Sequence, residues 1–312
     1  MAIRCNILIY GGGGEEFPYV GSREKLTISP TAVGSVIGWR LAQQASNHVS
    51  VVCRSNYETV KRSGYLIRST IWGHGRFLPR QVCHVDTFGE TLFSKPVDYI
   101  ICTNKVLDDW STISRNLRPL VKPGTTIVSA QNGMNVEAPL IEAFPDNTVL
   151  AMLVNTNCTQ LRAGFVDQAA GINKSPFLVG ITGRSGQGHR ADSARRDFLA
   201  AMDPCIKSIE SVYKERWKKL IFNNAWNSTT AVSGLNTHQL LEIPAAIEVV
   251  LELAEEAFNV ALVSGIDIEE DFPFQVVDVA RKTAPIVPST LQDARKRRPI
   301  ELSPVFASPL LL

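Results

Sequence analysis

A lysine and two asparagines set four residues apart, Lys219, Asn223 and Asn227, stand in the segment ERWKKLIFNNAWNSTTAV (215–232). On an α-helix this spacing puts all three on one face. Their neighbours Leu220, Ile221, Phe222, Ala225 and Trp226 are apolar, and asparagine is both a poor helix former and costly among apolar groups. Such a stripe either bridges buried backbone or lines a polar cleft, and the spacing alone leaves both readings open. In a cleft, a lysine can stabilise negative charge developing on an oxygen and then protonate it. Amides beside it can bind carboxylate or hydroxyl groups without adding repulsive charge.

A second set of residues has the types needed to hold a dinucleotide. The apolar run Cys5–Tyr10 leads into Gly11, Gly12 and Gly13, and Ala32-Val33-Gly34 opens the next helical stretch. In dinucleotide-binding folds a glycine-rich strand-to-helix turn lets the backbone approach the pyrophosphate, which rests on the helix N-terminus. Here residues 14–31 come between the two parts; without them the text reads GGGAVGSVIG. A βα connection usually takes about two to six residues, so 14–31 is expected to be an insertion, most simply a short retained intron. Taken alone, the glycine run is as well read as a flexible turn. Arg54 directly follows the strand-like VSVVC (49–53). An acidic residue there would take a ribose 2′-hydroxyl, whereas an arginine suits a 2′-phosphate and predicts NADPH; the plainer reading is a surface arginine.

The elements that must position these groups follow from periodicity. Short continuous apolar runs at 5–10, 49–53, 99–103, 126–130 and 149–154 read as strands buried on both faces. Helical stretches at 32–45, 110–121 and 137–144 alternate with them. This predicts an α/β fold: a Rossmann-type, doubly wound parallel sheet domain. The Gly- and Ser-rich stretch 182–193 reads as a surface loop. Beyond it the pattern is helical, at 194–201, 215–232, 244–264 and 274–283. The expected division is therefore an NADP-binding domain over 1–206 and an all-helical C-terminal domain over 207–312.

Composition excludes several other classes. The 312 residues are 45% hydrophobic and 20% charged, with a formal net charge of +2, which argues against nucleic acid as a partner. The basic run 295–298 is short and reads as a solvated helix end. Cys5, Cys53, Cys83, Cys102, Cys158 and Cys205 form no C-x-x-C pair and read as buried, reduced thiols. The five histidines lack metal-ligand spacing, so no metal site is expected. No apolar run approaches the ~18 residues of a membrane span, and no signal peptide is evident. A cytoplasmic monomer or homodimer is expected.

The helix segment, QNGM at 131–134, Lys105 after the YIICT strand, and STLQDARKRRPIE at 289–301 together resemble the ketopantoate reductase family, in order and across nearly the whole chain. The likeness is greatest to fungal-type members. The resemblance implies NADPH and the reduction of 2-dehydropantoate to pantoate on the way to pantothenate and coenzyme A, or of a similar 2-keto acid. It makes Lys219 the catalytic lysine and Glu301 the glutamate that acts with it. Asn223, Asn227 and Ser289 become substrate contacts, and Lys105 and Asn132 line the nicotinamide and substrate site. Gly11, Gly13, Gly34 and Arg54 fall to the cofactor. Two departures stand out: the interrupted glycine loop, and an ending a few residues after Glu301 where relatives continue into a further helix. They motivate an alternative expectation, an NADP-fold protein with impaired catalysis.

Overall fold

The computed structural model describes residues 5–11, 32–86, 96–107, 111–169, 175–182 and 188–307. Gly13 and the segment 14–31 lie outside the described residues. The chain forms two compact units: 1–105, 109–131 and 136–212 make the first, and 106–108, 132–135 and 213–312 the second.

The first unit runs β1 (Cys5–Tyr10), α1 (Ala32–Leu41), β2 (Asn47–Cys53), α2 (Tyr57–Ser63), β3 (Tyr65–Ser69), β4 (Gly73–Phe77), β5 (Val82–His84), β6 (Tyr99–Cys102), α3 (Ser111–Leu117), β7 (Thr126–Ser129), α4 (Ala138–Ala143), β8 (Val149–Val154), β9 (Asn157–Arg162), β10 (Phe165–Ala169), β11 (Phe177–Ile181), α5 (His189–Ala201) and β12 (Ile206–Ser211). Its main sheet has eight strands in the order β12-β11-β8-β7-β6-β1-β2-β5. All neighbours pair in parallel except β8 and β11, which are antiparallel. Successive residues of β1 point to opposite faces, as the strand period requires. Ile7 and Ile9 join an apolar cluster with Val36 and Ile37 of α1. Leu8 and Tyr10 join another with Ile113 and Leu117 of α3 and Leu140 of α4. Both faces are thus covered, which is why the strands read as unbroken apolar runs.

A second sheet, in the order β4-β3-β10-β9, was not expected from the sequence. Helix α1 packs on β1 and β2 on one side and on β4, β9 and β10 on the other. It therefore lies between two sheets, and its AVGSVIGWRL sequence, with hardly a polar face, fits burial all round. Arg40 near its end is held by Asp203 at 3.0 Å and stacks over Trp72.

Two sequence boundaries shift. The stretch 182–193 was read as a loop, but α5 begins at His189; its Gly and Ser content obscured a helix start at which Gly188 is the N-cap. The units divide between Val212 and Tyr213 instead of after residue 206, because Ile206–Ser211 pairs in parallel with β11.

The second unit contains α6 (Tyr213–Ser233), α7 (Thr237–Leu241), α8 (Pro244–Val263), α9 (Phe272–Lys282), α10 (Ser289–Arg295) and a π-helical turn, Ser303–Ala307. Helix α6 is its axis, packed against the other four helices and the π-helical turn. The core joins Trp217, Leu220, Ile221 and Trp226 of α6 to Val250, Ala254 and Phe258 of α8 and Val276 of α9. Trp226 is fully buried, and its indole N–H donates to the Val276 carbonyl at 3.1 Å. Truncating such a residue costs about 3–5 kcal/mol, so the register of α6 is firmly held.

Candidate active site

In the first unit, the residues assigned to a dinucleotide sit where the topology favours one. β1 pairs with β2 on one side and β6 on the other, so strand order reverses at β1. Open α/β sheets bind ligands outside the carboxyl ends of strands at such a point. Gly11 is buried directly after β1, Arg54 follows β2 half-buried, and Lys105 follows β6 half-buried. Gly34 is in α1, where an added Cβ would lie 2.5 Å from Thr103 Oγ1 and 3.0 Å from Ile9 Cγ2. Only glycine lets the helix approach β1 and the end of β6 this closely. Thr103 in turn donates its backbone N–H to the Tyr10 carbonyl at 2.8 Å.

In the second unit, α6 presents the lysine stripe. Lys219 donates to Asn132 Oδ1 at 2.9 Å. Its ammonium is surrounded by enough protein that burial, together with the neighbouring charge of Arg216, pushes its pKa down to about 8; Glu301 acts in the opposite direction. Glu301 is fixed through Oε1, which accepts the Val106 backbone N–H at 3.0 Å. Asn132 thus contacts Lys219 directly, and Glu301 acts on it through charge.

Asn223 and Asn227 continue the stripe one and two turns further on. Asn227 is only 5% exposed, and Asn223 is half-buried. Asn224 reaches the Leu253 carbonyl of α8 at 3.4 Å. Thr229 and Thr230 donate back to the carbonyls of Ala225 and Trp226 at 2.7 and 2.6 Å. Ser289 is exposed in the first turn of α10, which packs on α6.

Three partners of this set escaped the sequence reading. Arg216, one turn before Lys219, is 4% exposed and donates to the Gly133 carbonyl at 2.9 Å; its spacing of three from Lys219 was the available signal. The Pro304 carbonyl accepts the Met134 N–H at 2.9 Å. At Gly133, with φ +104°, a Cβ would lie 2.4 Å from Pro304 Cβ. The chain after Glu301 was expected to leave that residue weakly held. Instead Pro304 and Val305 are buried in a π-helical turn against α6, because the 132–135 loop and α6 offer it both a hydrogen bond and apolar cover.

All six cysteines are free thiols; Cys158 and Cys205 are only half-buried, contrary to expectation, and burial pushes the Cys53 thiol up to about 12. Among the described residues no group of three or more His, Cys, Asp or Glu could hold a metal ion, and no helix is long and apolar enough to cross a membrane.

The ketopantoate reductase PanE/ApbA family model matches residues 30–177, and the model of its C-terminal region matches 211–311. The chain belongs to the ketopantoate reductase family. A Saccharomyces cerevisiae protein described as uncharacterized is 27% identical, over 91% of this chain and 86% of its own. The crystal structure of 2-dehydropantoate 2-reductase from Methylococcus capsulatus is 27% identical and superimposes with a TM-score of 0.73, covering 98% of this chain and 89% of that one. D-mandelate dehydrogenase, solved as a ternary structure with NADH and anilino(oxo)acetate, is similar in fold, with 16% identity, a TM-score of 0.75, and coverage of 98% and 90%. The family match begins at Pro30, after most of the segment that interrupts the glycine loop.

Proposed function

We propose that this chain is an NADPH-dependent reductase of 2-keto acids, with 2-dehydropantoate as substrate and (R)-pantoate as product, serving pantothenate and coenzyme A synthesis. The observation that carries the reading is the Lys219 ammonium, hydrogen-bonded to Asn132 and brought near to neutral pH by its surroundings. Reduction of a keto group places negative charge on the carbonyl oxygen. A lysine with pKa about 8 is mostly protonated at pH 7 and is a stronger acid than an ordinary lysine, so it can stabilise that oxygen and then protonate it. Glu301 keeps the ammonium charged, and Asn132 orients it. Asn223, Asn227 and Ser289 would bind the substrate carboxylate and hydroxyl.

Bound NADPH would supply the hydride for the keto carbon. The residues present suit such a cofactor: Gly34 lets α1 pack closely on β1 and the end of β6, Gly11 follows β1, and Arg54 follows β2, where it would partner a 2′-phosphate. Lys105, which follows β6, would contact the cofactor.

The test is oxidation of NADPH and of NADH by purified full-length protein, with 2-dehydropantoate, branched 2-keto acids and benzoylformate compared. The expected result is fastest turnover of 2-dehydropantoate with NADPH. Arg54→Ala should weaken NADPH much more than NADH, because only the former carries the phosphate. Preference for benzoylformate would overturn the substrate assignment. Absence of turnover with every pair would favour the impaired NADP-fold alternative.

A further inference from the structure

We propose that Arg216 is a positioning residue for the reaction: anchored on the Gly133 carbonyl, it holds the 132–134 loop and a second positive charge against the Lys219 ammonium. The inference rests on the reading of Lys219 as proton donor. Arg216 and Lys219 lie three residues apart on α6 and grip adjacent residues of one loop. The Arg216 guanidinium donates to Gly133 O at 2.9 Å, and Lys219 Nζ donates to Asn132 Oδ1 at 2.9 Å. The next residue, Met134, is fastened through its N–H to Pro304 O at 2.9 Å. Three consecutive residues are thus held from two directions, and Arg216 supplies one of the two grips that come from α6.

A like charge beside an ammonium disfavours its protonated form. Arg216 is the charge that lowers the Lys219 pKa after burial itself, and Glu301, from the segment before the π-helical turn, is the charge that raises it. From the other elements packed against α6, namely α7, α8, α9 and α10, no described charge contributes. Arg216 and Glu301 therefore act on one proton with opposite signs. Arg216 makes Lys219 a readier donor, and Glu301 prevents it from losing its charge at neutral pH.

The experiment compares the pH dependence of kcat with the pH dependence of Lys219 acetylation by acetic anhydride, followed by mass spectrometry. Arg216→Gln keeps an N–H donor for Gly133 but loses the charge. It should move the alkaline limb of kcat and the Lys219 labelling midpoint up by about one pH unit. Arg216→Lys should leave both near wild type, and Glu301→Gln should move both down. If Arg216→Gln lost its cooperative melt, Arg216→Met would be read in its place. A labelling midpoint unchanged by loss of the Arg216 charge would overturn the proposal. Labelling needs no turnover, so the two readings fail separately. Mirror-image midpoint shifts without reduction of any 2-keto acid would keep Arg216's influence on Lys219 but remove the reaction. Turnover with an unmoved midpoint would do the reverse.

Discussion

The two faces of α6 carry the same residue type to different ends. On one, Lys214 and Lys218 meet Glu269 at 3.3 and 2.7 Å, and Glu269 is about half exposed. Its carboxyl is held down to about 2, with Lys218 the largest cause. On the other, Lys219 is drawn among protein atoms next to another cation, and its pKa falls to about 8. The first arrangement takes the most stable protonation state of each partner. The second places a charge where burial and Arg216 oppose it, and Glu301 with the Asn132 amide oxygen supports it. A protein has little structural reason to hold a lysine in that way, and perturbation of this kind is what proton-transfer chemistry requires.

The sharpest break of this contrast is Lys219→Met. Removing a positioned acid should lower kcat by about 10²–10⁴-fold. The same variant should melt higher than wild type at pH 7. The sign follows from linkage: the folded-state pKa, about 8, lies below the ordinary 10.5. Between those values the unfolded chain binds more protons, so wild-type stability rises with pH across that window. The cost of burying the ammonium is full below about pH 8 and fades toward 10.5, and methionine avoids it. Melting curves at pH 7 and pH 10 should therefore show an advantage for the variant that shrinks at the higher pH; an offset equal at both would speak against a strained lysine.

Next in size is Gly133→Ala. Its φ of +104° and the 2.4 Å approach of a Cβ to Pro304 force the loop to move. A misplacement of ~1 Å in a catalytic group can cost about 10²-fold in rate, and a loss of that order is expected here, with Asn132 displaced from Lys219. Wild-type kcat in this variant would mean that the loop grip is dispensable. The smallest effect belongs to the opposite face. Glu269→Gln should leave kcat unchanged and shift melting by no more than about 2 °C, since exposed pairs contribute little. The depressed carboxyl contributes above about pH 4.5, and that contribution is lost as pH falls toward 2, so even this small difference should vanish in acid.

How much of this could be read from sequence depended on where each feature's partners lie. The strand at 149–154 was legible in full, because VLAMLV is buried at every position and no surface alternation blurs it. The second sheet was not. GHGRF and NCTQLR are polar or half-exposed, and β3 finds β10 at a separation of 99 residues, Leu66 against Phe165. Lys219, Asn223 and Asn227 were legible through helical spacing, whereas Asn132, Ser289 and Glu301 needed the family resemblance. Arg216 carried the right spacing but looks like any basic residue in ERWKK. Pro304 acts through a backbone carbonyl, which no side-chain pattern announces. Asn224, which lies between Asn223 and Asn227 in the chain, was separable from them only once its bond to α8 was visible.

The placement of α1 between two sheets has a consequence for how the chain is made. The main-sheet face of α1 can be covered once β2 and β6 flank β1. Its other face is covered in part by β4 at 73–77 and completed only by β9 and β10, which lie at 157–169. During synthesis, the apolar surface of Ala32–Leu41 is therefore incompletely shielded on that side until more than half of the chain has emerged from the ribosome. Non-local closure of this sort is slow relative to hairpin formation and leaves a sticky intermediate. Burial of α1 thus depends on strands that lie more than 100 residues after it.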